Sequence, residues 1–274
     1  MKVSLVVTTY NWEQALDLVL ASVERQRVLP AEVLVADDGS GPATRAVVER
    51  WSRRLSVPVR HIWQEDRGFR LSASRNRALA AARGEYILMI DGDMVLHPRF
   101  VQSHMRFARG GSYVQGGRVK VRESTSRRLL GGAPVPLNVF TPDLGIRARA
   151  IHFPWLSRFH RGRGGPILDT QGCNMAYWLE DAIRVNGFNE DIVGWGYEDI
   201  EFAARMQNAG VARRNFKFGG VAFHLHHGGR PADEHLNRQF FEGVMRDAAT
   251  WCANGVDKYL VPPAASLTHA GPHD

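Results

Sequence analysis

Two cysteines, Cys173 and Cys252, are all the thiol chemistry that this 274-residue chain carries. They stand far apart and form no Cys-x-x-Cys pair, which argues against a disulfide framework or a thiolate zinc site and reads as two buried thiols. Long apolar runs are missing too. The most notable, Val3 to Val7 and Tyr86 to Ile90, fall far short of the roughly 20 residues a spanning helix needs. The N-terminus has Lys2 but neither the apolar region nor the small-residue cleavage site of a signal peptide, so a cytoplasmic setting is expected. No Gly-x-Gly-x-x-Gly follows the first β-branched run, which disfavours a dinucleotide oxidoreductase. The turn in that place, Thr8-Thr9-Tyr10-Asn11, holds no glycine, whereas a sugar nucleotidyltransferase would carry a glycine-rich, basic phosphate loop there. His-Glu-x-x-His is absent, so a self-contained zinc site is not indicated. Acidic charge is in the minority, and the formal net charge is +7. Such a surplus suits nucleic acid, an anionic membrane surface or phosphorylated substrates. The basic residues form no dense block with interleaved aromatics, and a nucleic-acid-binding role would leave the acidic turns described next unexplained. No nucleic-acid partner is expected; peripheral contact with the inner face of a membrane stays open.

What is present is a composition 44% hydrophobic, enough for one substantial core. From residue 2 to about 110, short β-branched runs alternate with amphipathic segments, the sign of successive βα units in an α/β, doubly wound, mostly parallel sheet. Lys2 to Thr8 reads as a buried strand, and Asn11 as the cap of a helix whose Ala15, Leu16, Val19, Leu20 and Val23 recur at helical spacing. Val33 to Ala36 is the next strand, Asp37 to Pro42 its turn, and Ala43 to Leu55 the second helix. Val59 to Trp63, a helix over Ser72 to Ala82 and a strand over Tyr86 to Ile90 follow, the last running into Asp91-Gly92-Asp93. Arg118 to Leu168 is rich in Gly, Pro and Arg without a sustained period, and its length suits a functional lid or acceptor-side excursion. Beyond it, order returns at Thr170 to Ala176, with helices expected over Leu179 to Val185, Glu198 to Ala209 and Asp233 to Cys252 and a loose tail at the end. The chain thus divides into a first half (1–115), a long loop or lid region (116–168), a second half of the same domain (169–228) and a terminal helix and tail (229–274).

In open α/β sheets ligands bind beyond the C-terminal ends of the strands, and the turns holding Asn11, Asp37-Asp38 and Asp91-Asp93 all follow strands. They should converge. Asp91-Gly92-Asp93 sets two carboxylates at alternate positions with a glycine between them, a pattern able to hold Mg²⁺ or Mn²⁺ against a diphosphate. In Gly194-Trp195-Gly196-Tyr197-Glu198-Asp199, two glycines flank an indole that no amphipathic period explains, which suits presentation of its face to a sugar ring. Glu198 and Asp199 fall at a helix N-terminus, where the dipole favours ionised carboxylates; one can bind an acceptor hydroxyl while the other removes its proton. Glu201 and Arg205 read as an ordinary helix-surface pair. His224, His226 and His227 end a strand, so 224 and 226 should share one face and 227 the other, and at least one of them can complete a metal site.

Taken in order, Val-Val-Thr-Thr-Tyr-Asn (6–11), Asp-Asp-Gly-Ser (37–40), Ser-Arg-Asn-Arg-Ala (74–78), Asp-Gly-Asp (91–93), Gly-Cys-Asn-Met-Ala (172–176), Gly-Trp-Gly-Tyr-Glu-Asp (194–199) and Phe-His (223–224) resemble the inverting family-2 glycosyltransferases of the GT-A fold. The C-terminal part is similar to β-1,4-galactosyltransferases and chondroitin-polymerase-type catalytic domains. The resemblance implies transfer from a nucleotide sugar, a UDP-sugar, to a glycan or glycoconjugate acceptor. It implies Thr8, Tyr10, Asn11 and Asp38 around the base and ribose, Arg75 and Asn76 near the ribose or phosphates, and Asp91 on the ribose-sugar side. Asp93 and His224 would hold Mn²⁺ or Mg²⁺; Trp195, Glu198 and Asn174 would contact the sugars; Asp199 would be the base. Threonine replaces the family's frequent proline in the first turn, and Tyr197 replaces a frequent glycine, a departure that bears on acceptor choice.

Overall fold

The structure is a computed structural model that describes residues 1–158, 164–228 and 234–260. It begins with β1 (Val3–Thr9), α1 (Glu13–Glu24), β2 (Glu32–Asp37), α2 (Pro42–Arg54), β3 (Val59–Trp63), α3 (Leu71–Ala81) and β4 (Tyr86–Asp91). Every residue of β1 and β2 is buried, because this sheet is covered on both faces. Leu5 and Val7 pack with Leu16, Val19 and Leu20 of α1 and Trp51 of α2, whereas Val6 joins Ala78 and Leu79 of α3 on the other face. That is the two-residue period of a strand, and it puts one helix layer on each side.

The middle of the chain supplies β5 (Met94–Leu96), α4 (Phe100–Phe107), β6 (Ser112–Gly116), β7 (Val119–Lys120) and α5 (Glu123–Leu130). The stretch read as a lid or acceptor-side excursion contains β7, α5 and 3₁₀ turns, among them Arg147–Ala150 and Ile167–Asp169. The last third adds β8 (Asn174–Trp178), α6 (Leu179–Arg184), α7 (Glu198–Asn208), β9 (Ala212–Phe216), β10 (Ala222–His224) and α8 (Glu234–Asp247). The tail lies outside the described residues.

Among the described residues, seven strands form the main sheet in the order β3-β2-β1-β4-β8-β6-β9, and β5-β10-β7 form a small second sheet. The pairings β3-β2-β1-β4 are parallel; β8 lies antiparallel to both β4 and β6. Thr8 stands opposite Asp91, and β8 begins with Asn174 opposite Ile90. The first turn, the Asp-Gly-Asp turn and the 172–174 segment thus meet at one end of the sheet. Among the described residues no helix is long and apolar enough to cross a membrane.

The sequence reading of Glu201 and Arg205 as a surface pair is corrected. Both are fully buried, with Arg205 Nε and Nη2 donating to the two Glu201 oxygens at 2.8 and 2.7 Å. The guanidinium also donates to the carbonyls of Val185 and Gly187. The pair bolts α7 to the loop after α6.

Candidate active site

The turn after β1 is built differently from the expected helix cap. Trp12, not Asn11, occupies the cap position of α1, and no side chain caps the helix. Asn11 takes φ 44°, receives the Gly41 N–H on Oδ1 at 2.9 Å and donates its own N–H to Ser40 Oγ at 2.9 Å. It braces the β1 turn against the β2 turn. Asp38 is buried beside it, accepting from Gln64 Nε2 at 2.6 Å and from the Arg70 N–H at 2.8 Å. Burial raises its pKa despite those two donors. Tyr10 is exposed and donates its hydroxyl to Asp66 at 2.9 Å.

These turns open into a cleft of about 770 Å³, lined by Thr8, Tyr10, Asp38, Arg75, Asp91, Asp93, Trp195, Glu198, Asp199 and His224 among others. Thr8 Oγ1 donates to Asp91 at 3.0 Å. Arg75, 1% exposed, lies 3.8 Å from Asp91 and 3.4 Å from Glu198, joining the two acidic motifs through one guanidinium. Gly172 makes room for it, since a Cβ there would stand 2.6 Å from Arg75 Nη2. Trp195 is 43% exposed on the rim. Tyr197 caps α7 at φ 68°, a left-handed conformation that glycine adopts without steric cost.

Glu198 and Asp199 diverge at the start of α7. Glu198 accepts from Arg75 and from the Gly196 N–H, while Asp199 accepts from the Gly172 N–H. The helix dipole favours ionised carboxylates here, and burial opposes it at Asp199. Desolvation first, and the neighbouring Glu198 charge second, raise its pKa well above the usual carboxylate range, against the pull of Arg75.

Besides Asn11, two expected ligand contacts do not line the cleft. Asn76 is fully buried, donating to the Phe188 carbonyl and Glu190 and accepting from the Phe188 N–H. Asn174 is fully buried, with Nδ2 donating to the carbonyls of Gly117 and Gly220 at 2.8 and 2.9 Å. Both asparagines fasten loops behind the site.

The histidine geometry also differs from the expected one. Strand β10 stops at His224, so the strand alternation ends and His227 folds back beside it, Nε2 to Nε2 at 3.3 Å. The two imidazoles lie 3.5 and 3.4 Å from Asp93 Oδ2, and one donor atom from each of the three residues falls within 4.8 Å of the others. His226 lines the cleft outside this triad. Burial, then Arg118 and His227, push the His224 pKa down to about 4, which keeps its imidazole neutral and available as a ligand. One carboxylate and two imidazoles offer donor atoms for a divalent metal. Sequence reasoning left open which of the three histidines binds metal, with His224 named by the resemblance, and gave no role to Arg118 or Lys120, which also line the cleft.

Residues 4–180 match the family described as glycosyl transferase family 2, and residues 164–228 match the N-terminal domain of galactosyltransferase. The chain is 31% identical over 229 residues to validoxylamine A glucosyltransferase of Streptomyces hygroscopicus subsp. limoneus, covering 76% of this chain and 48% of that protein. It is 28% identical over 238 residues to the chondroitin synthase of Escherichia coli, covering 81% of this chain and 34% of that one. It therefore spans half or less of the length of these relatives. In fold it is similar to the mannosyltransferase PcManGT of Pyrobaculum calidifontis, solved with GDP-Man and Mn²⁺, at a TM-score of 0.60 and 20% identity over 90% of this chain and 64% of that one. With a family match that runs over well more than half of its length and a GT-A arrangement of sheet and cleft, the chain belongs to glycosyl transferase family 2.

Proposed function

We propose that the chain transfers a sugar from a nucleotide-sugar donor, a UDP-sugar, to a hydroxyl of a glycan or glycoconjugate acceptor, with inversion at the anomeric carbon. The observation that carries this is the meeting of Asp91 and Asp93 with Glu198 and Asp199 in one cleft, tied together by the buried Arg75. Thr8, Tyr10 and Asp38 line the nucleoside end, and Asn11 holds that turn in place from behind. Arg75 offers its charge toward the donor's ribose and phosphates while keeping Asp91 oriented. A divalent cation held by Asp93, His224 and His227 would neutralise charge on the departing diphosphate.

Asp199 takes the proton of the attacking hydroxyl. Its raised pKa matches that task, because a base works best when its pKa lies near the operating pH. The Gly172 N–H fixes the carboxylate's direction, and Glu198 offers a second carboxylate to the incoming sugar. Trp195 supplies an exposed indole face for the acceptor. The relatives named for glucosyl transfer and for chondroitin synthesis support the transferase class and a sugar acceptor. A cytoplasmic setting belongs to the same proposal.

The test is a donor screen that measures nucleotide release with Mn²⁺, with and without candidate acceptors. Acceptor-stimulated release from a UDP-sugar is expected. Stimulated release from GDP-sugars alone would overturn the assignment of a UDP-sugar donor, and no release from any nucleotide sugar would overturn the transferase.

A further inference from the structure

The positive charge of this protein has one address. Between residues 118 and 163, ten Lys and Arg face two Asp and Glu, a surplus of eight in a chain whose net charge is +7. The remainder is close to neutral. Part of that charge is organised around β7. The Gly145 N–H donates to the Lys120 carbonyl and the Arg122 N–H to the Asp143 carbonyl, both at 2.8 Å, so the 143–145 segment is held against the strand. The 3₁₀ turn at Arg147–Ala150 follows. The result is a recess of about 280 Å³ lined by Arg118, Lys120, Gly145, Ile146, Arg149 and Gln171. Arg118, Lys120 and Gln171 line the main cleft as well, so the recess is a side chamber of it.

The local carboxylates are engaged elsewhere. Glu123 pairs with Arg127 at 2.6 Å, and Asp143 accepts from Ser124 at 2.5 Å. Three cations thus surround a recess whose lining includes no carboxylate, and among the described residues none of the three is in a salt bridge, an arrangement that favours entry of an anion. None of the residues assigned to the nucleoside or to the metal lines this recess.

We propose that the recess is an anion subsite for the acceptor: Arg118, Lys120 and Arg149 take a carboxylate or phosphate group carried by the acceptor while its reacting hydroxyl lies at Asp199. This rests on the transferase function proposed above. Guanidinium groups pair with carboxylate and phosphate through two parallel hydrogen bonds, and Lys120 adds a point charge. The acceptor is then an anionic glycan or a sugar phosphodiester rather than a neutral sugar.

The experiment uses the whole chain loaded with UDP and Mn²⁺, whose binding is measured first by calorimetry. The loaded protein is then titrated with two probe pairs: a uronate-bearing disaccharide against its carboxyl-reduced form, and a hexose phosphodiester against the parent hexoside. In at least one pair the anionic probe should bind roughly tenfold or more tightly than its neutral partner. The pair that shows it separates carboxylate from phosphate. The Lys120→Gln/Arg149→Gln double variant should lose the preference and keep its UDP affinity. Absence of preference in both pairs overturns the subsite. So does a double variant with weakened UDP binding, which would give these cations to the donor. Retention on anionic vesicles that depends on Lys120 and Arg149, without preference in either pair, would assign the basic surface to a membrane instead. A chain that fails to bind UDP with Mn²⁺ at all sinks the transferase function itself, an outcome distinct from UDP binding without probe preference.

Discussion

Replacing Asp199 by asparagine keeps the side chain's shape and its capacity to accept the Gly172 N–H, and removes its ability to take a proton. Two effects of opposite sign should follow. Transfer should fall by roughly 100-fold to 10,000-fold, the range for losing a positioned general base. Stability of the ligand-free protein should rise near neutral pH. The wild-type carboxyl has its pKa raised above the ordinary 3.8 by desolvation and by Glu198. Its protonated form is therefore the one the fold favours. Its contribution to stability is fully present below the unfolded pKa and is lost as pH rises through the folded pKa. Each unit of elevation corresponds to about 1.4 kcal/mol, so Asp199→Asn should gain on the order of 1 kcal/mol or more above that window and little below it. Urea denaturation of both proteins at pH 4 and pH 8, without nucleotide or metal, reads the difference. Equal stability changes at the two pH values would refute the elevated pKa. Unimpaired transfer would pass the base role to Glu198, and lost UDP binding would put Asp199 in the donor site.

Calorimetric titration should show UDP binding more tightly with Mn²⁺ than with chelator, and His224→Ala or His227→Ala should weaken Mn²⁺ binding while His226→Ala leaves it intact; equal affinities throughout would remove the metal centre. Trp195→Ala should raise the apparent acceptor constant by an amount equivalent to about 1 to 3 kcal/mol, by analogy with base-aromatic stacking, with UDP affinity unchanged; a loss of UDP affinity or global unfolding would mark the indole as structural. Glu201→Gln should cost about 3 to 5 kcal/mol in urea denaturation, because it strips the counter-charge from the fully buried Arg205; a cost under about 1 kcal/mol would mean that the two carbonyls satisfy that guanidinium alone.

The strands that carry the nucleoside-end turns were legible because apolar and β-branched residues dominate them, as in Val-Ser-Leu-Val-Val. The acidic turns were legible as well, since a carboxylate placed directly after such a strand falls at the sheet's open end. Strand β7 was not: it has two residues and pairs with β10, about a hundred positions later in the chain, so no local pattern announces it. Asn76 and Asn174 misled for a chemical reason. A carboxamide has donors and acceptors that suit a ligand, and the same groups satisfy buried loop carbonyls and N–H groups, which only tertiary structure reveals. Glu201 and Arg205 misled in the same way, because a four-residue spacing fixes their mutual contact but not which side of the helix faces water. His227 was misplaced because strand alternation was carried beyond the point where the strand ends.

The pairing of β6 with β8 has a consequence for how the protein can be altered. Val114 faces Ala176 and Gln115 faces Met175 in antiparallel register, and Asn174 ties itself to the Gly117 carbonyl. The long excursion between these strands leaves the sheet and returns to it at nearly the same point, as one oversized hairpin. Its ends are fixed neighbours, so a replacement cassette for the distal part, from α5 to the 3₁₀ turn at Ile167–Asp169, has to keep β7 paired with β10 and supply apolar partners for Val95, Phe223 and Leu225 in place of Leu129, Leu144 and Ala150. Lengthening such a closed loop costs little, about 0.6 kcal/mol for each doubling. A graft of this cassette from another family member would replace Arg149 and its surroundings and leave Asp91, Asp93 and Asp199 untouched, so the acceptor preference proposed for the recess would change with it.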